Sequence, residues 1–318
     1  MKVYTHNFNP NSNSGPNKFT RQLFKNLTNN KNITVVNDQN SADIEFCLIQ
    51  QAVHKTKPMV LRLDGIYFNS EQDYKNQNAP IKFSYDNADA VIFQSSFNKN
   101  LIEHWFGPHK NGHVIHNAAD LKLIEATSIG TFLSYDAITY EVWSCASSWR
   151  PHKRLKENIR YFIENAPKEA ILYIAGQGTN LEELKSYSGE LLGKRIFYIG
   201  NLDYPTLIKL YKISTVFLHL AYLDHCPNVV VDAHAAGCHI VCASSGGTKE
   251  IVKNHGTIIQ EDNWDYSPIP LYKPPKLDFD NFKVVSNSSI DKLKNINVKY
   301  DNIEDCAQKY LKVMEGVK

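Results

Sequence analysis

The sequence predicts an α/β protein with parallel sheets, arranged as two successive units. Short apolar runs alternate along the chain with segments of helical spacing, which is typical of parallel strands joined by helices. Residues 120–136 show no clear period, and the alternation then starts again. A chain of 318 residues is long enough for two domains with separate cores. We therefore predict a domain boundary between residues 134 and 135, which gives units 1–134 and 135–318.

Each predicted element follows from a local pattern of apolar residues. The first helix, for example, carries Phe19, Leu23 and Leu27 on one face. In the first unit, the predicted strands cover 2–5, 33–36, 44–49, 59–63, 90–93 and 113–115, and a second helix covers 97–105. In the second unit, strands at 139–144, 170–174, 195–199, 216–220 and 240–243 alternate with helices at 155–165, 181–186, 204–212, 228–236 and 249–254.

The C-terminal part of the chain departs from this alternation. Residues 262–275 are rich in Pro, Asp and Tyr, which predicts a loop. Residues 303–314 have apolar side chains at helical spacing, which predicts a final helix with one buried face. That face needs a partner, and we consider a return of this helix to the first unit.

The composition argues against several classes of protein. Hydrophobic residues make up 42% and charged residues 21% of the chain, which is typical of a globular protein. The 35 basic and 33 acidic side chains leave a net charge of +2, too small an excess for a dedicated nucleic-acid binder. We find no signal peptide and no apolar segment long enough to span a membrane, so at most peripheral membrane contact is expected. Six scattered cysteines indicate reduced thiols and a cytoplasmic enzyme.

Two carboxylates flank a predicted helix start in the second unit. Asp224 and Asp232 are separated by seven residues, and Pro227 and Asn228 begin the helix between them. The first amides of a helix are free to bind a phosphate, and carboxylates accept hydrogen bonds from sugar hydroxyls. Asp232 lies among valines and alanines, where an ionised group needs a partner. The pattern favours a sugar-nucleotide site over the alternative of a solvated helix face.

A basic cluster follows the first predicted strand of the second unit. Arg150, Lys153 and Arg154 surround the turn from this strand to the next helix. Cations at a helix start oppose the helix dipole, so a bound anion explains them better than a solvated surface does. Three cations at this turn could hold a diphosphate and stabilise the negative charge that develops on it when it acts as a leaving group.

Other signals are weaker when each is taken alone. Gly15, in a polar loop, permits close approach of a phosphate or sugar, although most such loops are simple turns. Asp64 ends an apolar strand, where α/β proteins collect catalytic groups, but a turn or capping role is about equally favoured. Gly176 precedes Gly178 without the third glycine of a dinucleotide fingerprint, so we expect a tight turn lining the crevice. The histidine spacings match no metal site, and we predict none.

Together these residues resemble the family-4 glycosyltransferases, which are retaining enzymes of GT-B fold with a nucleotide-sugar donor. The resemblance runs over most of the chain and is strongest over 141–258. It implies two Rossmann-like domains with parallel sheets that face each other across a cleft. The donor would lie mainly in the second domain and the acceptor in the first. Because side chains and a helix start would neutralise the diphosphate, we expect no metal and no cofactor besides the nucleotide-sugar co-substrate.

The resemblance also implies roles for individual residues. The two acidic positions, usually glutamates in the family, are Asp224 and Asp232, which would contact the donor sugar and the ribose. After Pro227, the amides of Asn228 and Val229 would face the donor phosphates, and Lys153 matches the phosphate-binding lysine. Tyr198, Asn201 and Leu202 lie in a segment that resembles the one whose backbone frames the nucleotide base, and Gly15 resembles the glycine of the acceptor-side loop. We also count Gly15 and Gly176, the latter in the turn that lines the crevice, among the donor-binding candidates.

Three departures from the family pattern leave questions open. Ser148 stands at the usual arginine position, so Arg150 or Arg154 would have to substitute. Asp64 stands where many members have a histidine, and it would orient the acceptor or stabilise positive charge on the sugar. The first domain is short for the family, which suggests a trimmed acceptor site.

The resemblance thus implies a retaining, metal-independent transferase. It would move a hexose to a hydroxyl of a glycan, lipid or protein-linked sugar, with Asp64, Lys153 and Asp224 as catalytic candidates. A second hypothesis is a sugar-nucleotide-binding pseudoenzyme or transferase subunit, since both acids are shorter than glutamate. A third is an epimerase or a nicotinamide-dependent oxidoreductase, although the missing three-glycine fingerprint argues against the latter.

Overall fold

Two six-stranded parallel sheets, one in each half of the chain, organise the structure, which is a computed structural model. It describes residues 1–12, 14–30, 33–130, 141–253, 255–279 and 301–318. Helices cover both faces of each sheet, so most strands are apolar along their whole length. The predicted α/β class with two parallel sheets is confirmed.

The first sheet has the strand order β2-β1-β3-β4-β5-β6. Its strands are β1 (Lys2–His6), β2 (Thr34–Val36), β3 (Ile44–Leu48), β4 (Met59–Leu63), β5 (Ala90–Phe93) and β6 (Gly112–Val114). The helices of this half are α1 (Gly15–Asn30), α2 (Tyr74–Asn87), α3 (Ser96–Phe106) and α4 (Leu121–Ala126). All six strands lie within a few residues of their predicted positions, because buried parallel strands give unbroken apolar runs.

Helices α2 and α4 were not predicted. Helix α2 contains Pro80 and buries only Ile81 and Tyr85 among its large apolar side chains, so its sequence lacks a clear helical period. It is instead held by local polar contacts: Asp73 caps its first turn, and Ser84 donates to the Pro80 carbonyl at 2.9 Å. Helix α4 is a single short helix within the segment that showed no period.

The second sheet has the strand order β12-β11-β10-β7-β8-β9. Its strands are β7 (Val142–Ser148), β8 (Ile171–Gln177), β9 (Ile196–Gly200), β10 (Val216–His219), β11 (His239–Ala243) and β12 (Gly256–Ile259). Its helices are α5 (Leu155–Asn165), α6 (Leu181–Ser188), α7 (Tyr204–Ile213), α8 (Asn228–Ala235) and α9 (Thr248–Val252). Strand β12 was not predicted, and part of the predicted strand 139–144 lies outside the described residues.

The order of this sheet creates a switch point. The chain builds β7, β8 and β9 to one side and then returns, so that β10 pairs with β7 on its other side. Loops leaving the carboxyl ends of β7 and β10 therefore run in opposite directions and leave a crevice between them. The two loops carry the basic cluster and the first of the two carboxylates.

The final helix, α10 (Ile303–Val317), lies on the first half. Tyr310 and Met314 are fully buried in one core with Phe19 and Leu23 of α1. The backbone continues the contact, since the Ile303 amide donates to the Ala119 carbonyl at 2.9 Å. The return of this helix to the first sheet is thus part of the fold.

Residues 262–274, which we call the strap, connect the two halves a second time. The strap is irregular, as predicted, but its backbone pairs with the first half: the Ile269 amide donates to the Phe68 carbonyl at 3.1 Å. Trp264 packs on Phe68 with ring centroids 4.7 Å apart. The predicted boundary at 134/135 lies outside the described residues and stays a prediction. No helix in the described ranges is both long and apolar enough to cross a membrane.

Candidate active site

An ion pair occupies the crevice at the switch point of the second sheet. Lys153 ends the helical turn Pro151–Lys153 that follows β7, and Asp224 lies five residues after the end of β10. The Lys153 ammonium contacts Asp224 Oδ2, and the side chains are 16% and 14% exposed. The structure therefore brings these two predicted site residues into direct contact, at the edge where open α/β sheets bind ligands.

His219, the last residue of β10, contacts the same carboxylate oxygen. Its Nε2 lies 3.0 Å from Asp224 Oδ2, and its side chain is 4% exposed. Burial lowers the pKa of His219, although Asp224 opposes this, so the imidazole is neutral near pH 7 and donates through Nε2–H. Burial alone would raise the pKa of Asp224, but Lys153 and the His219 hydrogen bond hold it well below its usual value. Asp224 is therefore an ionised carboxylate.

A glycine turn fixes the backbone of Asp224. The Gly247 amide donates to the Asp224 carbonyl at 2.8 Å, and a Cβ added to Gly246 would lie 2.4 Å from the same oxygen. Gly246 also has φ of +84°, which other residues rarely adopt. On the other side, Leu223 has φ of 55° and turns the chain toward the site. Both glycines are thus needed for the turn to lie this close to the backbone of Asp224 and His225.

The start of α8 lies next along the chain. Pro227 precedes the helix, and the first backbone hydrogen bond inside it is donated by Val230. The amides of Asn228 and Val229 come before that bond, so they are the donors of this helix start. The Asn228 side chain reaches the first half, where it donates to the Gly15 carbonyl at 3.1 Å. The structure thus brings Gly15 and the helix start together across the cleft.

Asp232 lies one turn into α8 and is 7% exposed. The Tyr204 hydroxyl donates to its Oδ1 at 3.2 Å. Burial raises the pKa of Asp232 to about 7, although the hydrogen bond from Tyr204 opposes the rise. The nearby Lys18 ammonium, in α1 of the first half, also lowers the pKa. Asp232 is thus a buried acid that is partly protonated near neutral pH.

The other predicted donor-side residues lie near the carboxyl ends of β8, which pairs with β7, and of β9, which pairs with β8. Tyr198 donates its hydroxyl to the Gly176 carbonyl at 2.8 Å. Gly176 has φ of +113°, and a Cβ there would lie 1.8 Å from the Ser147 carbonyl oxygen, so only glycine fits. Asn201 is exposed and Leu202 half-buried just after β9. Gly176, near the end of β8, therefore packs its backbone directly against β7.

Arg154, one of the two arginines predicted to hold the diphosphate, is buried against partners elsewhere in the structure. Its side chain is fully buried and forms an ion pair with Glu261 at 2.5 Å, and it donates to the Pro275 carbonyl at 2.7 Å. These partners flank the two ends of the strap, so the guanidinium is committed to a structural contact. Arg154 itself has φ of 52°, a left-handed turn that separates it from Lys153. Arg150 remains exposed ahead of the turn.

Asp64 is also held by a buried partner. Arg62 Nη1 lies 2.6 Å from Asp64 Oδ1, and their side chains are 1% and 12% exposed. Arg62 further donates to the Tyr310 hydroxyl at 3.1 Å and to Asn117 Oδ1 at 2.9 Å. Burial raises the pKa of the Asp64 carboxyl against the opposing effect of Arg62. The observed contact of Asp64 is thus charge compensation of Arg62.

Sequence reasoning missed three residues that shape the site. His219 was grouped with scattered histidines, although its place at a strand end was a usable signal. Asn117 donates to Asn228 Oδ1 at 2.8 Å and to the Cys226 carbonyl at 3.0 Å, which links the first half to the start of α8. Glu250 accepts hydrogen bonds from the first amides of α3, at 2.7 Å from that of Ser96. No signal in the sequence pointed to this last contact.

The described residues include no group of three or more His, Cys, Asp or Glu side chains placed to hold a metal ion. Beside Asp224 the positive groups include Lys153 and the amide end of α8, and the exposed Arg150 lies three residues before Lys153 in the chain. Together they can bind an anion, and the neighbouring carboxylates can accept hydrogen bonds from hydroxyl groups.

Comparisons with known proteins agree with this architecture. Residues 142–266 match the family model "Glycosyl transferases group 1". Over 266 residues the chain is 22% identical to an uncharacterized glycosyltransferase of Methanocaldococcus jannaschii, a match that covers 80% of this chain and 65% of the relative. The chain thus spans just under two thirds of that relative's length.

Two solved structures share the whole fold. HepE of Anabaena, in complex with UDP and glucose, has a TM-score of 0.68 at 14% identity, and the match covers 99% of this chain and 100% of HepE. Sucrose-phosphate synthase of Thermosynechococcus elongatus has a TM-score of 0.69 at 12% identity, with 99% and 98% covered. The chain therefore has the GT-B fold, and its residues 142–266 match the glycosyl transferases group 1 model.

Proposed function

We propose that the chain is a retaining glycosyltransferase that moves a hexose from a nucleotide-diphosphate sugar to a hydroxyl acceptor. The observation that carries this proposal is the contact of Lys153 with Asp224 at the switch point. Asp224 lies four residues before Asn228, at the amide end of α8. A cation and free amides bind a diphosphate, while a carboxylate beside them binds sugar hydroxyls. A nucleotide sugar is the ligand that needs both in one crevice.

Each part of the donor would bind different residues of the second half. The diphosphate would lie against the amides of Asn228 and Val229, with Lys153 and Arg150 as its cations. The hexose would reach Asp224. The ribose hydroxyls would bind Asp232, whose buried carboxyl lies beside Tyr204. The base would lie near Tyr198, Asn201 and Leu202, in and just after β9.

The reaction breaks the bond between the anomeric carbon and the diphosphate oxygen. Negative charge then grows on the leaving diphosphate, and groups already fixed around it stabilise that charge without reorganisation. Lys153 and the start of α8 supply this stabilisation in our proposal, so no metal ion is needed. Attack by the acceptor hydroxyl on the face that the diphosphate leaves would retain the anomeric configuration, and the hydroxyl proton would pass to the departing diphosphate oxygen on that face. The acceptor would enter from the first half, near Gly15.

A panel of nucleotide sugars tests this proposal. UDP-glucose is the first compound to try, since HepE was solved with UDP and glucose. Saturation at a hundred times the dissociation constant should stabilise the fold by about 2.7 kcal/mol, which a thermal-shift assay detects. The matching sugars of GDP and ADP complete the panel. Absence of stabilisation by every member would contradict the proposal.

One observation favours a second candidate function. Lys153 and Asp224 form an ion pair with each other in the structure. The two acids at the family's glutamate positions, Asp224 and Asp232, are each one methylene shorter than glutamate. These features suit a sugar-nucleotide-binding subunit without its own catalysis. A protein that binds a donor in the panel but neither hydrolyses nor transfers its sugar, with a range of glycan and lipid acceptors, would select this alternative.

We also propose a cytoplasmic location. All six cysteines are buried and free, as expected where thiols stay reduced. Cell fractionation with an antibody to the natural protein would test this, and recovery in an extracellular or lumenal fraction would contradict it.

A further inference from the structure

One oxygen of Asp224 receives two donors of different character. Lys153 Nζ and His219 Nε2 both contact Oδ2, the histidine at 3.0 Å. In the described contacts neither donor uses Oδ1. The carboxylate thus has one oxygen anchored to the protein and the other left for a ligand.

The two donors differ in how easily they can leave. Lys153 lies on a turn after β7, and its four-carbon stem can swing the ammonium to a new partner. His219 belongs to β10, where it pairs with Cys242, and its side chain is 4% exposed. Its ring also stacks on Phe217, with an angle of 12° between the planes. The histidine is therefore a fixed donor, and the lysine is a movable one.

In the proposed function, the Lys153 ammonium binds the donor diphosphate. A lysine that turns toward the phosphates gives up part of its contact with Asp224, just when Asp224 has to meet the sugar. A carboxylate without a fixed donor is free to rotate about its side-chain bonds or to follow the lysine. Something other than Lys153 must then keep Asp224 in place.

We propose that His219 is a positioning residue that holds Asp224 Oδ2 while Lys153 exchanges Asp224 for the donor diphosphate. Asp224 then presents Oδ1 to a hydroxyl of the hexose in a fixed direction. This inference rests on the proposed function. It adds that the affinity for the sugar part of the donor depends on His219, whereas the affinity for the diphosphate part does not.

The experiment compares each nucleotide sugar with its own nucleoside diphosphate. Isothermal titration of the wild-type chain with UDP and UDP-glucose, GDP and GDP-mannose, and ADP and ADP-glucose identifies the pair in which the sugar adds affinity. That pair is then titrated into His219→Gln, His219→Asn and His219→Leu. Glutamine places its amide nitrogen near the position of Nε2, whereas asparagine is one bond shorter and leucine has no donor.

The two short or apolar variants should weaken binding of the nucleotide sugar by about tenfold or more, as expected for loss of a hydrogen bond to a charged group. Their affinity for the nucleoside diphosphate should change by less than about twofold, because this ligand lacks the hexose that Asp224 contacts. His219→Gln should recover most of the sugar-dependent affinity. Thermal unfolding without ligand checks that each variant is folded.

A control variant separates positioning from packing. Phe217→Leu disturbs the core beside His219 without touching Asp224. We expect it to lower stability and to leave the ratio of the two affinities unchanged. If His219→Leu and Phe217→Leu change the ratio equally, or if His219→Gln behaves like leucine, His219 has no positioning role. A wild-type chain that binds no member of any pair would overturn the proposed function as well. If the wild type binds a nucleotide sugar and His219→Asn binds it with the same affinity, this inference alone is overturned.

Discussion

Asp232 shows how one buried residue links stability to ligand binding. Its carboxyl lies inside α8 with Tyr204 as its hydrogen-bond donor, and burial raises its pKa to about 7. An acid whose pKa is raised in the folded state binds a proton there that the unfolded chain releases at lower pH. The wild-type chain therefore loses stability as the pH rises from about 4 to about 7, because the folded state must then hold an unfavourable charge.

Replacement of this acid should remove that loss. We expect Asp232→Asn to be more stable than the wild type at pH 8, relative to pH 4, by on the order of 2–4 kcal/mol. Urea unfolding at the two pH values measures the difference, and the exposed Asp262→Asn serves as a control. A free-energy difference between wild type and Asp232→Asn that is the same at both pH values would contradict the raised pKa. The variant should also bind nucleotide sugars more weakly if Asp232 holds the ribose.

Single residues also show where the sequence was informative and where it was not. Lys153 and Asp224 could be predicted because each follows the carboxyl end of a strand, and ligands collect at such ends. Arg154 could not, because its direction depends on a left-handed backbone turn and on Glu261, more than a hundred residues away. Asp64 likewise looked like a free strand-end acid, and its pairing with Arg62 is visible only in three dimensions.

At the scale of elements, the turn before α9 and the loop before α8 form one unit. The Gly246-Gly247 turn lies against the backbone of Asp224 so closely that a Cβ at position 247 would be 2.0 Å from the His225 carbonyl oxygen. The loop and the turn come from neighbouring strands, β10 and β11. The direction of Asp224 is therefore set by the packing of this loop against the glycine turn rather than by the helix that follows it.

This packing gives a prediction for Gly246→Ala. The added Cβ would meet the Asp224 carbonyl, and the positive φ adds strain, so we expect a loss of stability of roughly 1–3 kcal/mol. Nucleotide-sugar binding should weaken more than binding of the nucleoside diphosphate, because Asp224 moves. Gly189→Ala is a matched control, since its φ is also positive but its Cβ would meet no neighbour within 4 Å. Equal effects of both variants on sugar binding would contradict the close-packing argument.

Most elements could be predicted from the sequence because they bury continuous apolar runs or faces. The strands of both sheets and helix α1 are of this type. Helix α2 could not, since polar caps and the contact of Ser84 with Pro80 replace an apolar face. Strand β12 is four residues long; although Thr257, Ile258 and Ile259 are β-branched, so short a run does not by itself define a strand, and pairing with β11 completes it.

At the scale of the whole molecule, two segments of the second half hold the first. Helix α10 shares the core of the first sheet, and the strap packs Trp264 against Phe68. Both ends of the strap are fixed by Arg154, which pairs with Glu261 and donates to the Pro275 carbonyl. A buried charge thus sets the path of a long irregular segment between the halves.

The ion pair between Arg154 and Glu261 predicts that loss of Arg154 alone lowers the free energy of unfolding more than loss of both charges does. Arg154→Met leaves Glu261 buried without its partner and should cost about 3–5 kcal/mol of unfolding free energy. Arg154→Met combined with Glu261→Leu removes both charges and should recover most of this loss. Urea unfolding of the three chains measures the effect. The folded double variant should bind the donor nucleotide as the wild type does, and a selective loss of nucleotide affinity would mean that Arg154 contacts the ligand after all.

The contact between Lys153 and Asp224 is the centre of the proposed mechanism, and it is tested most directly by the sugar-transfer rate of Lys153→Ala. Lys156→Ala is the matched control, since Lys156 lies three residues later and is exposed. We expect Lys153→Ala to stay folded by thermal unfolding and to lose turnover on the order of a hundredfold to a thousandfold, because the leaving diphosphate loses a fixed positive charge. Lys156→Ala should keep nearly full turnover. A Lys153→Ala chain that transfers sugar at the wild-type rate would contradict the account.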